Sequence, residues 1–120
     1  MAELLNNTGI VAIATYLKDT FLGAAIGTGL TAIAATDITL EGEVMRVAST
    51  NVLATTTVAN DTAKFTGTFL LAAGYTIAKC ALFTSSISGG TMLSEASFSG
   101  LPLVTGDTII TIWELPVSGS

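Results

Sequence analysis

Residues 75–98 read YTIAKCALFTSSISGGTMLSEASF, and they carry the strongest local structural signal in the chain. Two runs typical of β-strands flank residues 85–90, where serines and two consecutive glycines favour a tight reversal with positive φ angles. Alternation along the first run predicts two faces, one with Tyr75, Ile77, Lys79, Ala81 and Phe83 and the other with Thr76, Ala78, Cys80, Leu82 and Thr84. We therefore expect a β-hairpin here, with the remaining segments packed around it.

Strand patterns continue on both sides of the hairpin. Residues 44–58 are long for one strand and predict an internal bend, and a turn at 60–62 leads into another strand at 63–71. The second strand of the hairpin is expected to end at 100–102, because proline cannot donate a hydrogen bond to a neighbouring strand. After a further turn, residues 108–115 form the last predicted strand.

The last predicted strand has apolar side chains on both faces. On one face lie Ile110 and Ile112, and on the other lie Ile109, Trp113 and Leu115. Such a pattern is typical of a central strand, or of a strand whose outer face meets another subunit.

The N-terminal third predicts one helix followed by a loop. Residues 6–8 supply N-cap candidates, and the apolar residues after them recur at spacings of three and four, at Ile10, Ile13, Ala14, Leu17 and Phe21. We predict a single domain over residues 1–120, with a helix at about 8–20, a loop at about 27–43 and a β region at about 44–116. The predicted fold class is mainly β, an antiparallel β-sandwich or barrel-like sheet with one N-terminal helix packed on it.

The composition predicts a protein that assembles with itself. Charged residues make up 11% of the chain against about 25% in typical soluble domains, while hydrophobic residues make up 50% and the mean hydropathy is +0.72. The cores of subunit interfaces are depleted of charge in the same way. An alternative is that threonine and serine simply cover exposed sheet faces, where threonine is favoured. The net charge of −5 and four dispersed basic residues argue against a nucleic acid partner.

No targeting or membrane segment is expected. The first nine residues, MAELLNNTG, lack the basic and apolar regions of a signal peptide. Residues 20–36 carry no charge, but their threonines and the glycines at 27 and 29 make a poor membrane helix. We therefore expect neither secretion nor a membrane span.

Residues suited to catalysis or cofactor binding are sparse. The chain has no histidine, and Cys80 lies in a predicted strand without a base, so we expect no enzyme activity. Residues 27–32 match a G-x-G-x-x-A pattern but lack the strand-to-helix context of a dinucleotide site. We expect no cofactor.

Three carboxylates, Asp37, Glu41 and Glu43, lie within seven residues. Calcium loops supply more oxygen ligands and a glycine at a defined turn, so we expect no metal. We interpret the segment as a solvated acidic loop that pairs with Arg46 or with a base of a partner.

Four stretches occur in order along the chain and resemble the small virion proteins of tailed viruses, including the phage tail-collar fibre type domain. They are LLNNTGIVAIATYL at 4–17, AAIGTGLTAIAATDITLEGEVMR at 24–46, ALFTSSISGGTML at 81–93 and TGDTIITIWEL at 105–115. Residues 79–81 depart from the family, with Lys-Cys-Ala in place of the frequent Glu-Ala-Gly. Fibre proteins of the family continue into a distal shaft or tip, so the chain resembles the attachment module standing alone.

The resemblance implies a non-enzymatic virion structural protein, made in the host cytoplasm, that forms a homotrimer or ring in the tail or collar and contacts other virion proteins. A capsid decoration protein on the head surface is the alternative. A third alternative is a carbohydrate-binding module that holds a surface glycan on aromatic residues such as Tyr75 or Trp113. The candidate subunit interface consists of Leu30, Ile33, Leu40, Ile110, Ile112 and Trp113.

Overall fold

The computed structural model describes residues 4–118, and within them it contains one helix and seven strands. All strand pairs are antiparallel and form two sheets, with the helix packed on them. The predicted fold class is therefore confirmed. The elements are α1 (Asn7–Thr20), β1 (Gly23–Gly27), β2 (Glu43–Ala48), β3 (Thr50–Ala54), β4 (Thr62–Leu70), β5 (Tyr75–Phe83), β6 (Met92–Leu103) and β7 (Thr108–Pro116).

The two sheets enclose the main core. The four-stranded sheet has the order β2-β1-β5-β6, and the three-stranded sheet has the order β3-β4-β7. Burial of Phe65 and Phe69 on β4 stabilises the fold by about 1.5–3 kcal/mol each. The buried residues of the main core are Phe21, Ala24, Ile26, Ala63, Phe65, Phe69, Leu71, Ile77 and Leu82.

Gly67 allows the two sheets to approach closely at the centre of the core. A Cβ atom at this position would lie 2.8 Å from the Cβ of Ala24, so β1 lies over β4. Strand β2 ends at Ala48 and β3 begins at Thr50, so β2 lies on the side of β3, and β5 and β6 lie on the side of β7. Within residues 4–118, no strand pairs with the second edge of β7.

Both β6 and β7 are edge strands. Of the two interpretations offered for the last strand, the central position is therefore wrong. The predicted end of β6 at 100–102 is also wrong, because β6 continues to Leu103 and Pro102 pairs with Thr76. An edge strand tolerates proline, since its free side needs no hydrogen-bond donor.

A β-bulge changes which residues of β5 lie on the same face. The register shifts between Ile77 and Lys79, so alternation is interrupted at this point. Ile77 joins the main core with Leu82, whereas Ala81 belongs to a second cluster on the opposite face. The prediction that Ile77 shares a face with Lys79 and Ala81 is wrong, because strict alternation assumes an unbroken strand.

The predicted bend within residues 44–58 is a change of sheet. Strand β2 ends at Ala48 in the four-stranded sheet, and β3 begins at Thr50 in the three-stranded sheet. The chain therefore closes this side of the sandwich covalently, while the side of β6 and β7 stays open.

Helix α1 is anchored to β3 at its C-terminal end. The side-chain amide of Asn51 donates to the carbonyl oxygens of Lys18 and Phe21, at 2.8 Å each. Carbonyls at this end lack partners within a helix, so the two bonds satisfy them and hold α1 against the core. Ile10 and Ala14 are buried on its inner side.

Candidate functional site

The structure divides the six predicted interface residues between two regions. Leu30 and Ile33 lie on the segment 28–42, which connects β1 to β2, and they are 83% and 40% exposed. Ile110 and Ile112 lie on the outer face of β7 and are 58% and 61% exposed.

The prediction for Leu40 is wrong, because this side chain is buried within the subunit. It packs with Ala25, Ala81 and Phe83 on the face of the four-stranded sheet that points away from the main core. The sequence places Leu40 in a loop without apolar periodicity, so the buried position could not be predicted from spacing.

The sixth residue, Trp113, is half-buried and packs against the main core. It is therefore not a freely exposed aromatic platform for a glycan. Tyr75, the other aromatic considered for that role, lies at the start of β5 and is 37% exposed.

A groove of about 260 Å³ follows the open side of the sandwich, and we call it the edge groove. It is lined by residues of β5, β6 and β7 and lies beside the edge of β7 that no described strand pairs with. Its lining is almost entirely apolar, with Cys80, Ala96, Phe98, Ile109, Ile110, Thr111, Ile112 and Trp113. The sequence indicated the two apolar faces of β7 but could not show that one of them borders a groove.

The free edge of β7 is poorly protected against pairing. Charged residues, proline or a bulge commonly protect an edge strand from pairing with another strand. In β7 the only charged residue is Glu114, and the only proline is Pro116 at the end of the strand. Its register with β4 is also continuous. The backbone of residues 109–113 can therefore accept another strand.

Threonine covers much of the neighbouring outer face. Thr66 pairs with Ile112, and Thr68 pairs with Ile110, so apolar and hydroxyl side chains alternate across the three-stranded sheet. Threonine therefore covers part of this exposed sheet face, as the alternative explanation of the low charge content proposes.

Glu41 fastens the segment 28–42 to the four-stranded sheet. Its carboxylate accepts hydrogen bonds from the backbone N–H and the hydroxyl of Thr31, at 2.9 and 2.6 Å, and from the Lys79 ammonium at 3.1 Å. The Thr31 hydroxyl and amide, followed by Lys79, lower the pKa of Glu41 to about 2. The carboxylate is therefore ionised in the folded protein at neutral pH.

Lys79 is the buried partner of this ion pair. Its side chain is 3% exposed, and its ammonium group lies 3.1 Å from Glu41. The sequence shows both a lone lysine in an apolar strand and an acidic loop. The contact between them spans 38 residues, which local spacing cannot reveal.

Arg46 joins β2 to the tip of the hairpin. It forms two hydrogen bonds with the Glu43 carboxylate at 2.8 and 2.9 Å and donates to the carbonyls of Ser85 and Gly89 at 2.9 and 3.0 Å. Its guanidinium also lies 3.8 Å from the ring centroid of Phe83. The interpretation that Arg46 pairs with an acid of the loop is confirmed for Glu43.

A second cavity, which we call the acidic cavity, lies between residues 33–37 and the start of β6. It has a volume of about 310 Å³ and contains the side chains of Asp37 and Glu95. Asp37 accepts a hydrogen bond from the Ala34 N–H at 2.9 Å. Sequence reasoning missed Glu95 because it lies far along the chain from the acidic loop.

The two carboxyl groups of the acidic cavity have opposite pKa shifts. Burial raises the pKa of Glu95, and the neighbouring Asp37 carboxyl raises it further. The Glu95 carboxyl and the Ala34 N–H both lower the pKa of Asp37. Glu95 is therefore the member of the pair that holds a proton more strongly.

Other chemistry considered from the sequence is weakly supported by the geometry. Burial raises the pKa of the Cys80 thiol to about 11, which disfavours the thiolate that a nucleophile requires. The glycine pattern at 27–32 runs from β1 into a segment without helix, so it lacks the context of a dinucleotide site.

Among residues 4–118, no three metal-binding side chains group closely enough to hold an ion. No helix in the described part of the chain is long and apolar enough to cross a membrane.

No protein-family model matches the chain, and no curated protein matches it significantly.

Proposed function

We propose that this protein is a non-enzymatic structural subunit that forms a homo-oligomer through the open side of its β-sandwich. The observation that carries the proposal is the edge groove, an apolar groove beside the edge of β7 that no described strand pairs with. An extended segment of a neighbouring subunit would pair with β7 and complete the three-stranded sheet. Its alternate side chains would cover the groove wall formed by Phe98 and Trp113.

The total accessible surface area supports the proposal that further subunits cover part of this chain. The accessible surface is 6762 Å², whereas a compact monomer of 12.2 kDa is expected to expose about 6,100 Å². The radius of gyration is 15.6 Å against about 13.6 Å expected for 120 residues. The chain thus exposes more surface than its mass requires. The exposed surface at the edge strand β7 includes the apolar side chains of Ile110 and Ile112.

Hydrophobic burial would supply the association energy. Complete burial of one isoleucine or phenylalanine side chain is worth about 1.5–3 kcal/mol, and a stable interface buries about 1,200–2,000 Å² in total. Eight residues line the edge groove, whereas such an interface involves about 20–30 residues a side, so contacts along the outer face of β7 would have to contribute as well.

The resemblance to tailed-virus virion proteins leads us to place this homo-oligomer, as a trimer or ring, in the tail or collar of a virion. Immunolabelling of separated tails and heads would test the location. Label on tails agrees with the proposal, and label confined to heads would favour the capsid decoration alternative.

Light scattering after gel filtration, over a wide range of protein concentration, tests the assembly proposal. We expect a stable oligomer for the native sequence. Phe98→Asp and Ile110→Asp alter opposite walls of the edge groove at partly exposed positions, so both variants should stay folded and shift towards monomer. Trp113→Asp is unsuitable because Trp113 also packs on the main core.

Ile87→Asp is the matched control. Ile87 is 83% exposed at the tip of the hairpin and does not line the edge groove. If the native chain is monomeric throughout, or if Ile110→Asp and Phe98→Asp assemble as Ile87→Asp does, the proposed interface is wrong.

A further inference from the structure

The acidic cavity contains a carboxyl group whose surroundings do not suit a negative charge. Both carboxylate oxygens of Glu95 are buried, and neither has a hydrogen-bond partner among the described residues. An ionised carboxylate without a partner is costly to bury, so protonation is the usual outcome.

Across the acidic cavity, Glu95 faces the carboxyl of Asp37 and the backbone N–H of Ala34, which already donates to Asp37 at 2.9 Å. Two ionised carboxylates only accept hydrogen bonds, so they can bond to each other only when one of them carries a proton. The two groups come from different elements, since Asp37 lies in the segment 28–42 and Glu95 lies in β6. A shared proton would therefore join the segment to the sheet.

The other charged groups nearby do not replace this proton. Lys79 on β5 acts electrostatically on both carboxyls, and Glu41 on the segment 28–42 acts on Asp37. The Lys79 ammonium is already in contact with Glu41 at 3.1 Å. On Glu95 the effect of Lys79 is smaller than the effects of burial and of Asp37, so it does not reverse the raised pKa.

We propose that Asp37 and Glu95 share one proton across the acidic cavity and thereby hold residues 33–38 against β6, so that this segment loosens when the proton is lost. The proposal is independent of the edge groove, which lies at a different set of residues.

The direction of the pH dependence follows from the two shifts. The pKa of Glu95 is raised from its ordinary value of 4.5, so its contribution is complete below pH 4.5 and is lost as the pH rises through the raised value. The pKa of Asp37 is lowered from 3.8, so its contribution is lost as the pH falls through the lowered value. The closed segment is therefore most stable when the pair holds one proton.

Hydrogen exchange of the backbone amides in residues 33–38, followed by mass spectrometry, tests the proposal. Glu95→Gln replaces the titrating group with a permanent neutral donor to Asp37. At about pH 4.5 the native chain and the variant should exchange at similar rates. At about pH 8 the native chain should exchange at least about tenfold faster, the change that corresponds to one pKa unit of lost coupling.

Glu114→Gln is the control, because Glu114 is an exposed carboxylate on β7 and the substitution makes the same chemical change. It should behave as the native chain does at both pH values. A carboxyl NMR titration of the native chain needs no variant and should show that Glu95 retains its proton above pH 4.5.

An ordinary titration of Glu95, or equal pH dependence in the native chain and Glu95→Gln, would falsify the proposal. Calcium chloride added at about pH 8 provides a second check. Restored protection that requires both calcium and Glu95 would show that the pair is a cation site rather than a proton-sharing contact.

Discussion

At the scale of single residues, Gly67 and Gly9 illustrate two different roles of glycine. Gly67 lies where the two sheets meet, and a Cβ atom there would lie 2.8 Å from Ala24 and 2.9 Å from the hydroxyl of Thr111. Gly9 lies in the first turns of α1, and a Cβ atom there would contact nothing within 4 Å.

Alanine substitution should therefore act in opposite directions at these positions. Gly67→Ala should lower the free energy of unfolding by about 1–3 kcal/mol, because the backbone of a packed sheet must move to admit the methyl group. Gly9→Ala should raise it by about 0.5–1 kcal/mol, because alanine favours the helix. Urea denaturation of both variants measures the difference, and equal effects would show that the sheets are not closely packed at Gly67.

At the scale of elements, the hairpin of β5 and β6 combines local turn chemistry with one distant anchor. Gly89 and Gly90 adopt the predicted positive φ angles of 62° and 79°. Arg46, from β2, holds the same turn through the carbonyls of Ser85 and Gly89. The turn residues permit the reversal, and the arginine determines where the tip rests.

Arg46→Lys should loosen the tip while leaving the strands intact. A lysine ammonium cannot reproduce the planar fork that contacts Glu43 and two carbonyls together, nor the stacking on Phe83. We expect a loss of about 1–3 kcal/mol in unfolding free energy and faster amide exchange in residues 85–90. Amides of β3 serve as the internal control, and unchanged exchange at the tip would contradict the anchoring role.

At the scale of the whole molecule, stability should fall in acid. The Asp61 carboxylate accepts hydrogen bonds from the backbone N–H groups of Thr56, Thr57 and Val58 and from the hydroxyl of Thr62. The N–H groups of Val58 and Thr56 contribute most, and they hold the pKa of Asp61 well below its ordinary value. Glu41 is shifted in the same direction.

Both groups stabilise the fold above their ordinary pKa values, and that contribution is lost as the pH falls through the lowered values. The melting temperature of the native chain should therefore fall steadily below about pH 4. Asp61→Asn should flatten part of this decline, whereas Asp19→Asn, at an exposed ion pair with Lys18, should leave it unchanged. Circular dichroism melts over a pH series measure both, and identical acid profiles for Asp61→Asn and the native chain would count against the Asp61 assignment.

Local features of the fold could be predicted from the sequence. The helix, the hairpin turn and the alternating faces of β7 follow from the spacing of apolar residues and the positions of glycine, which act over a few residues. The predicted alternation of faces along β5 and the predicted end of β6 were wrong for a common reason. A bulge at Ile77–Lys79 and a proline at an edge both depend on the strand alongside.

The sequence by itself determined that this chain is mainly β, poor in charge and apolar on both faces of its last strand. Only the tertiary structure decided that β7 is an edge beside a groove and that Leu40 is buried. It also brings Lys79 into contact with Glu41 and places Asp37 and Glu95 in one cavity. The alternation of apolar and polar residues indicates which side of a strand faces the core, because successive side chains on one backbone point to opposite sides. The order of strands and the pairing of distant charges arise from contacts between segments tens of residues apart, and no local pattern encodes them.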